Sequence, residues 1–176
     1  MLKTLTLEVP KHLKKFFENG EYGPADQKGR LQIEKWSEIG RLLHLVSRTI
    51  PFTQKVRETS GSTITLAYHL REKAYEIPYD KIPDLVRQLD EIFRRTLICE
   101  VRRVHELAGG DYSPFIRDFL TRYDIDTAED CDWEVIRKIY RDYLQRIEKV
   151  NDRRRKMLEM RPPMKKSSAQ KVRQIA

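Results

Sequence analysis

Between Ile82 and Leu107 one run of apolar residues keeps to a single helical face. Ile82, Leu85, Val86, Leu89, Ile92, Phe93, Thr96, Leu97, Val101, Val104 and Leu107 recur at three- and four-residue spacing. Asp80 stands where an N-cap belongs, Pro83 is tolerated in a first turn, and Gly109-Gly110 supplies a stop. At 1.5 Å per residue, about 26 residues make roughly 40 Å of helix. A chain of 176 residues can build one core along such a rod, with an appended helix and tail, but not two large domains. The helix is expected to be the spine of the fold.

Shorter elements should pack on it. Leu5, Leu7 and Val9 alternate with Thr4, Thr6 and Glu8, a half-buried strand that Pro10 closes. A short helix over His12 to Glu18 follows, with Leu13, Phe16 and Phe17 inward and Asn19-Gly20 as its C-cap; Glu21 to Gly29 reads as a loop. Ile33, Trp36, Ile39, Leu43 and Val46 predict a helix over 31–48, ended by Pro51. Thr53 to Glu58 and Thr63 to Leu70, flanking Thr59-Ser60-Gly61-Ser62, predict a hairpin, with Ala74 to Ile77 as a third short strand. Ser113 caps a helix that starts on Pro114 and ends near Tyr123. Thr127 to Asp130 resembles a capping box for a last long helix, whose seam is Trp133, Ile136, Tyr140, Tyr143, Ile147 and Val150. Pro162-Pro163 ends helix formation, and the Lys/Ser/Gln-rich remainder is expected to be disordered when free. The expected fold class is α+β, mainly α: long helices, a small N-terminal antiparallel β element and a disordered basic C-terminal tail. The expected domains are an N-terminal body over 1–110, a helical pair over 111–160 and the tail over 161–176.

Composition narrows the setting. Apolar types are 39% and charged types 35%, which is polar for a globular chain without entering the disordered regime. The apolar stretches fall far short of the roughly 20 residues that span a bilayer, and no apolar leader follows the N-terminal lysine. A cytoplasmic protein without membrane contact is expected, or a virion protein if the chain is a phage structural component. The two cysteines, Cys99 and Cys131, lack any CxxC or ligand-spaced histidine and read as free thiols.

Charge is distributed unevenly. The net charge is +8, yet residues 1–145 hold 24 basic and 24 acidic side chains, while residues 146–176 hold eleven basic against three acidic. Such a block draws phosphate polymers and releases their counterions on neutralising them. The tail has no aromatic residue on which bases would stack, which favours contact with a duplex backbone. A tail that serves solubility or meets an acidic protein surface is the plainer reading.

Among possible sites, the segment 114–146 stands out. A short helix and an amphipathic one joined by a tight polar turn outline a helix-turn-helix, with Arg137, Lys138 and Arg141 off the apolar seam; an ordinary αα-hairpin with a solvated charged face is the plain alternative. The four histidines, His12, His44, His69 and His105, fall on separate elements without metal or nucleophile spacing. Gly109-Gly110 follows a helix and lacks the pattern of a phosphate loop. Asp124, Asp126, Glu129, Asp130, Asp132 and Glu134 do not match an EF-hand, and acids before a helix are what its dipole favours. The Thr4 to Val9 strand followed by Ser37-Glu-Ile-Gly-Arg-Leu-Leu faintly resembles a ribbon-helix-helix module, although the stretch Glu21 to Arg30 is too long for that family.

Taken together, LTLEVPKHLKKFF, FIRDFLTRYDI and IRKIYRDYLQR resemble small uncharacterised proteins of bacterial prophages and mobile elements. The resemblance covers about half the chain and implies a setting but no active site.

These features lead to a non-enzymatic, DNA-associated protein that needs no cofactor and no metal. Its phosphate grip would be Arg137, Lys138, Arg141, Arg146, Lys149, Arg153, Arg154, Arg155, Lys156, Lys165 and Lys166, with the body able to form a homo-oligomer. The alternative is a structural or assembly protein, such as a phage particle component, whose long helices bind protein neighbours. An enzyme would need a convergent cluster, for instance of Tyr22, His44, Tyr68 and Glu100.

Overall fold

The computed structural model describes residues 1–19, 26–50, 59–70 and 74–160. In chain order the elements are β1 (Leu2–Glu8), α1 (Lys11–Asn19), β2 (Arg30–Ile33), α2 (Glu38–Val46), β3 (Arg48–Thr49), β4 (Thr63–His69), β5 (Tyr75–Glu76), α3 (Ile82–Ala108), α4 (Ser113–Arg122) and α5 (Trp133–Glu159). The fold is α+β and mainly α. Two compact units divide the chain at Met1–Tyr140 and Arg141–Ala176. Thus α4, expected to belong with α5 in a separate helical pair, lies in the first unit with α3, on which it packs.

In the first unit, β4 is the centre of a three-stranded sheet. β1 runs antiparallel to it from Leu2 opposite His69 to Glu8 opposite Thr63, and β2 runs parallel to it from Arg30 opposite Thr65 to Ile33 opposite Tyr68. The sheet is therefore mixed rather than purely antiparallel. Period-2 alternation puts Leu7, Ile64, Leu66, Tyr68, Leu31 and Ile33 on the buried side. Thr6 and Thr65 meet on the other side, hydroxyl to hydroxyl at 3.2 Å. α3 packs on β1, α1 and α4, and the core takes in Leu13, Phe16 and Phe17 of α1, Leu89, Phe93 and Leu97 of α3, and Ile116, Phe119 and Leu120 of α4. Phe16 is a hub, with ring centroids 5.2 Å from Phe93 and 4.8 Å from Tyr123 in edge or tilted geometry.

Several expectations are corrected. The helix expected over 31–48 is a strand, a turn and a shorter helix. Leu31 and Ile33, two residues apart, suit a strand as well as a helix, and the turn at Glu34–Ser37 lets the chain fold back. Gly40 makes that return feasible, because a Cβ there would sit 2.0 Å from the Glu34 carbonyl oxygen. Ser37 is the true N-cap, its Oγ accepting from the Gly40 amide at 3.0 Å. The helix then ends at Val46, well before Pro51, where the Ser47 amide and hydroxyl both donate to the Leu43 carbonyl.

The partner expected for Thr63 to Leu70 in a hairpin, Thr53 to Glu58, lies outside the described residues, and both edges of β4 are taken by β1 and β2. The strand expected at Ala74 to Ile77 is present as β5 but pairs with β3 in a separate two-stranded sheet. Asp80 does not cap α3; it lies in a 3-10 turn and binds Arg48 at 3.1 Å. Ser113 is not a cap either, for Asp111 Oδ1 accepts both its amide, at 3.1 Å, and its hydroxyl, at 2.9 Å. Likewise Asp132, not Thr127, opens α5 by accepting from the Glu134 amide at 2.8 Å. The stop at the end of α3 is as expected: Gly109 and Gly110 adopt φ of 67° and 80°, a region that favours glycine.

Candidate nucleic-acid interface

Helix α5 carries the basic residues. Its first turns are anchored in the first unit by Ile136 and by Tyr140, which is fully buried. The Tyr140 hydroxyl lies 3.0 Å from His105 Nδ1, and His105 Nε2 lies 3.2 Å from the Gly110 carbonyl. A carbonyl only accepts, so Nε2 donates to it and Nδ1 accepts from Tyr140. His105 is thus a strut between the end of α3 and α5. The Arg117 guanidinium lies over the Trp133 ring at 5.0 Å and fastens α4 to the same helix.

The expected helix-turn-helix is not what joins α4 to α5. Ten residues, 123–132, separate the two helices, against the three or four of that motif. This link has its own order. Ile125 is buried, Asp124 adopts φ of 54°, and Asp130 Oδ2 accepts from the Asp126 amide at 2.8 Å and from Lys15 Nζ at 2.7 Å. Burial works against the Asp130 carboxylate, but the Lys15 and Asp126 donors outweigh it and hold its pKa below the usual range. Cys131 beside it is pushed up to about 11 by burial and the neighbouring aspartates. These acids are therefore occupied in shaping the link, and no group of three or more ligand-type side chains gathers for a metal among the described residues.

The expected phosphate-binding residues separate into three groups. Arg137 is half-buried, its Nε shielded without a hydrogen-bond partner and its Nη1 3.5 Å from Glu134, so its guanidinium is only partly open to solvent; Lys138 in the same unit is exposed. In the second unit Arg141, Arg146, Lys149, Arg153, Arg154, Arg155 and Lys156 are all exposed and helical. Of these, Arg146, Lys149, Arg153 and Lys156 follow i, i+3, i+7, i+10 spacing and form one stripe about 80° wide at 100° per residue. Arg155 pairs with Asp152 at 3.5 Å, and Arg146 lies over the Tyr143 ring at 5.9 Å. Lys165 and Lys166, with the rest of the expected disordered tail, lie outside the described residues.

The expected apolar seam is also corrected. It is covered as far as Tyr140, but Ile147 and Val150 are 40% and 49% exposed. Further along the same face, Met157 and Leu158 are 73% and 60% exposed.

Elsewhere, His12 lies 5.1 Å from Phe93, with its pKa lowered chiefly by burial. His44 Nε2 is buried without a hydrogen-bond partner, and His69 is exposed at the end of β4. Glu100 binds Arg122 and, at 2.9 Å, the Tyr123 hydroxyl. Tyr22 lies outside the described residues.

One feature had no sequence signal. A cavity of about 720 Å³ lies between β1 and the start of α3, lined by Lys3, Leu5, Tyr68, Glu76, Ile77 and Val86 among others. Within it Lys3 Nζ donates to the Tyr75 carbonyl at 2.5 Å and lies 3.6 Å from Glu76. Burial pushes the Tyr68 phenol up to about 12. No helix among the described residues is long and apolar enough to cross a membrane. No family model, curated protein or solved structure matches the chain, so the resemblance to prophage proteins rests on the quoted segments alone.

Proposed function

We propose that this is a non-enzymatic, DNA-associated protein that grips the phosphate backbone through the second half of α5 and the residues after it. The observation that carries this reading is the coincidence of the charge boundary with the structural one. Residues 1–140 hold 23 basic and 23 acidic side chains, whereas residues 141–176 hold twelve basic and four acidic. Exposed lysines and arginines on one helical stripe suit phosphates, which position a protein without specifying sequence. Affinity should then be steep in salt and modest in sequence preference.

Binding of the full chain and of a form truncated after Gln145 to a generic 30-base-pair duplex, titrated across salt, tests this. Salt-dependent binding that disappears on truncation supports the reading. No binding by the full chain at low salt rejects it. A second reading, a structural or assembly protein in a phage particle or mobile element, is favoured by the exposed apolar residues Ile147, Val150, Met157 and Leu158.

A further inference from the structure

Within the second unit the apolar face of α5 has a strict repeat. Tyr143, Ile147, Val150, Arg154 and Met157 follow 4-3-4-3 spacing, the pattern of a helix that packs against another helix. Leu144, Asn151 and Leu158 flank it on one side, Arg146 and Arg153 on the other. Four of the five seam residues, Ile147, Val150, Arg154 and Met157, are exposed, and a hollow at the end of the stripe is lined by Arg154, Met157, Leu158 and Met160.

Arg154 decides what can cover this face, because it stands in the middle of it. A second copy packed parallel and in register would bring two Arg154 and two Arg153 side chains together, four cations at one level with no acid among the seam or flanking positions. Packed antiparallel, the Arg146 and Arg153 flanks would face each other. A bilayer would place the Arg154 guanidinium among acyl chains, which is costly. A helix whose apolar stripe is edged by carboxylates satisfies all three arginines and buries the same apolar residues, and the two methionines suit a surface that adapts to its partner.

We infer that the apolar face of α5 from Tyr143 to Leu158 docks an acidic amphipathic helix of another protein, with Arg146, Arg153 and Arg154 receiving its carboxylates. Arg146 and Arg153 are shared with the proposed phosphate stripe, while Ile147 and Val150 belong to the apolar face alone, so changes at those two test the docking separately from the DNA reading.

The test uses the full chain and two labelled synthetic helical peptides that share one Leu/Ile seam, the first flanked by Glu and the second by Lys, followed by fluorescence anisotropy. The expected result is Glu-peptide binding at least about tenfold tighter than Lys-peptide binding. Ile147→Asp with Val150→Asp should abolish that binding while leaving the thermal unfolding of the first unit unchanged, both residues being exposed. Arg154→Leu should narrow the preference. Equal affinity for both peptides, binding to neither, or a preference unchanged in Arg154→Leu would overturn the assignment. So would a micromolar dimer of the wild-type chain in sedimentation that the double variant dissociates, or binding to phosphatidylserine vesicles that the double variant loses. Duplex binding in parallel samples reports on the DNA reading separately.

Discussion

The two units solve opposite problems with the same helix-forming chemistry. Among the described residues every buried apolar side chain lies at or before Tyr140, and the first unit's charges are largely matched, as in Lys15 with Asp130, Arg30 with Asp26 and Arg94 with Asp90. In the second unit α5 keeps its helical spacing, yet Ile147, Val150, Met157 and Leu158 are exposed to solvent and its cations outnumber its acids. Helical periodicity thus reports that a face exists, while its neighbours determine whether that face is core or contact surface.

The contrast can be broken at its strongest point first. Phe93→Ala empties a site where α1, α3 and α4 meet, and should cost about 3–5 kcal/mol in denaturant unfolding. The combined change of Arg146, Lys149, Arg153 and Lys156 to Gln should leave that unfolding midpoint in place. It should instead reduce the slope of log affinity against log salt by about 3–4 in duplex titrations. A destabilised quadruple variant would show that the second unit supports the first.

Gly40→Ala drives a methyl into backbone with little room to yield, and should destabilise the first unit by about 1–3 kcal/mol, measured by the same unfolding. pH acts on the first unit in two steps. Burial lowers the His12 pKa from 6.5, so the unfolded chain binds the extra proton first and Tm should begin to fall as pH drops below about 6.5. The depressed Asp130 carboxylate adds a second loss as pH falls further, through and below the ordinary carboxylate range near 4. In a Tm series from pH 7 to 3, His12→Gln should flatten the first step and Asp130→Asn the second. The smallest effect is expected of Arg137→Gln, which should leave duplex affinity within about twofold because that guanidinium is turned partly inward. A tenfold loss there would return α5's first turns to the interface.

Local pattern was enough for β1, α1, α3 with its glycine stop, and the extent of α5 as a helix, because each carries an unbroken period or a breaker residue that acts within a few positions. The imbalance of charge toward the C-terminus was likewise legible by counting. Tertiary structure decided the rest. Leu31 and Ile33 became a strand because β4 offered a free edge, and Asp80 and Asp130 found Arg48 and Lys15 across long stretches of chain instead of capping their own helices. Arg137 and Arg154, both basic residues on one helix, differ only in what surrounds them. Side-chain type and spacing are properties of the chain, whereas burial and pairing depend on which distant segments the fold brings alongside.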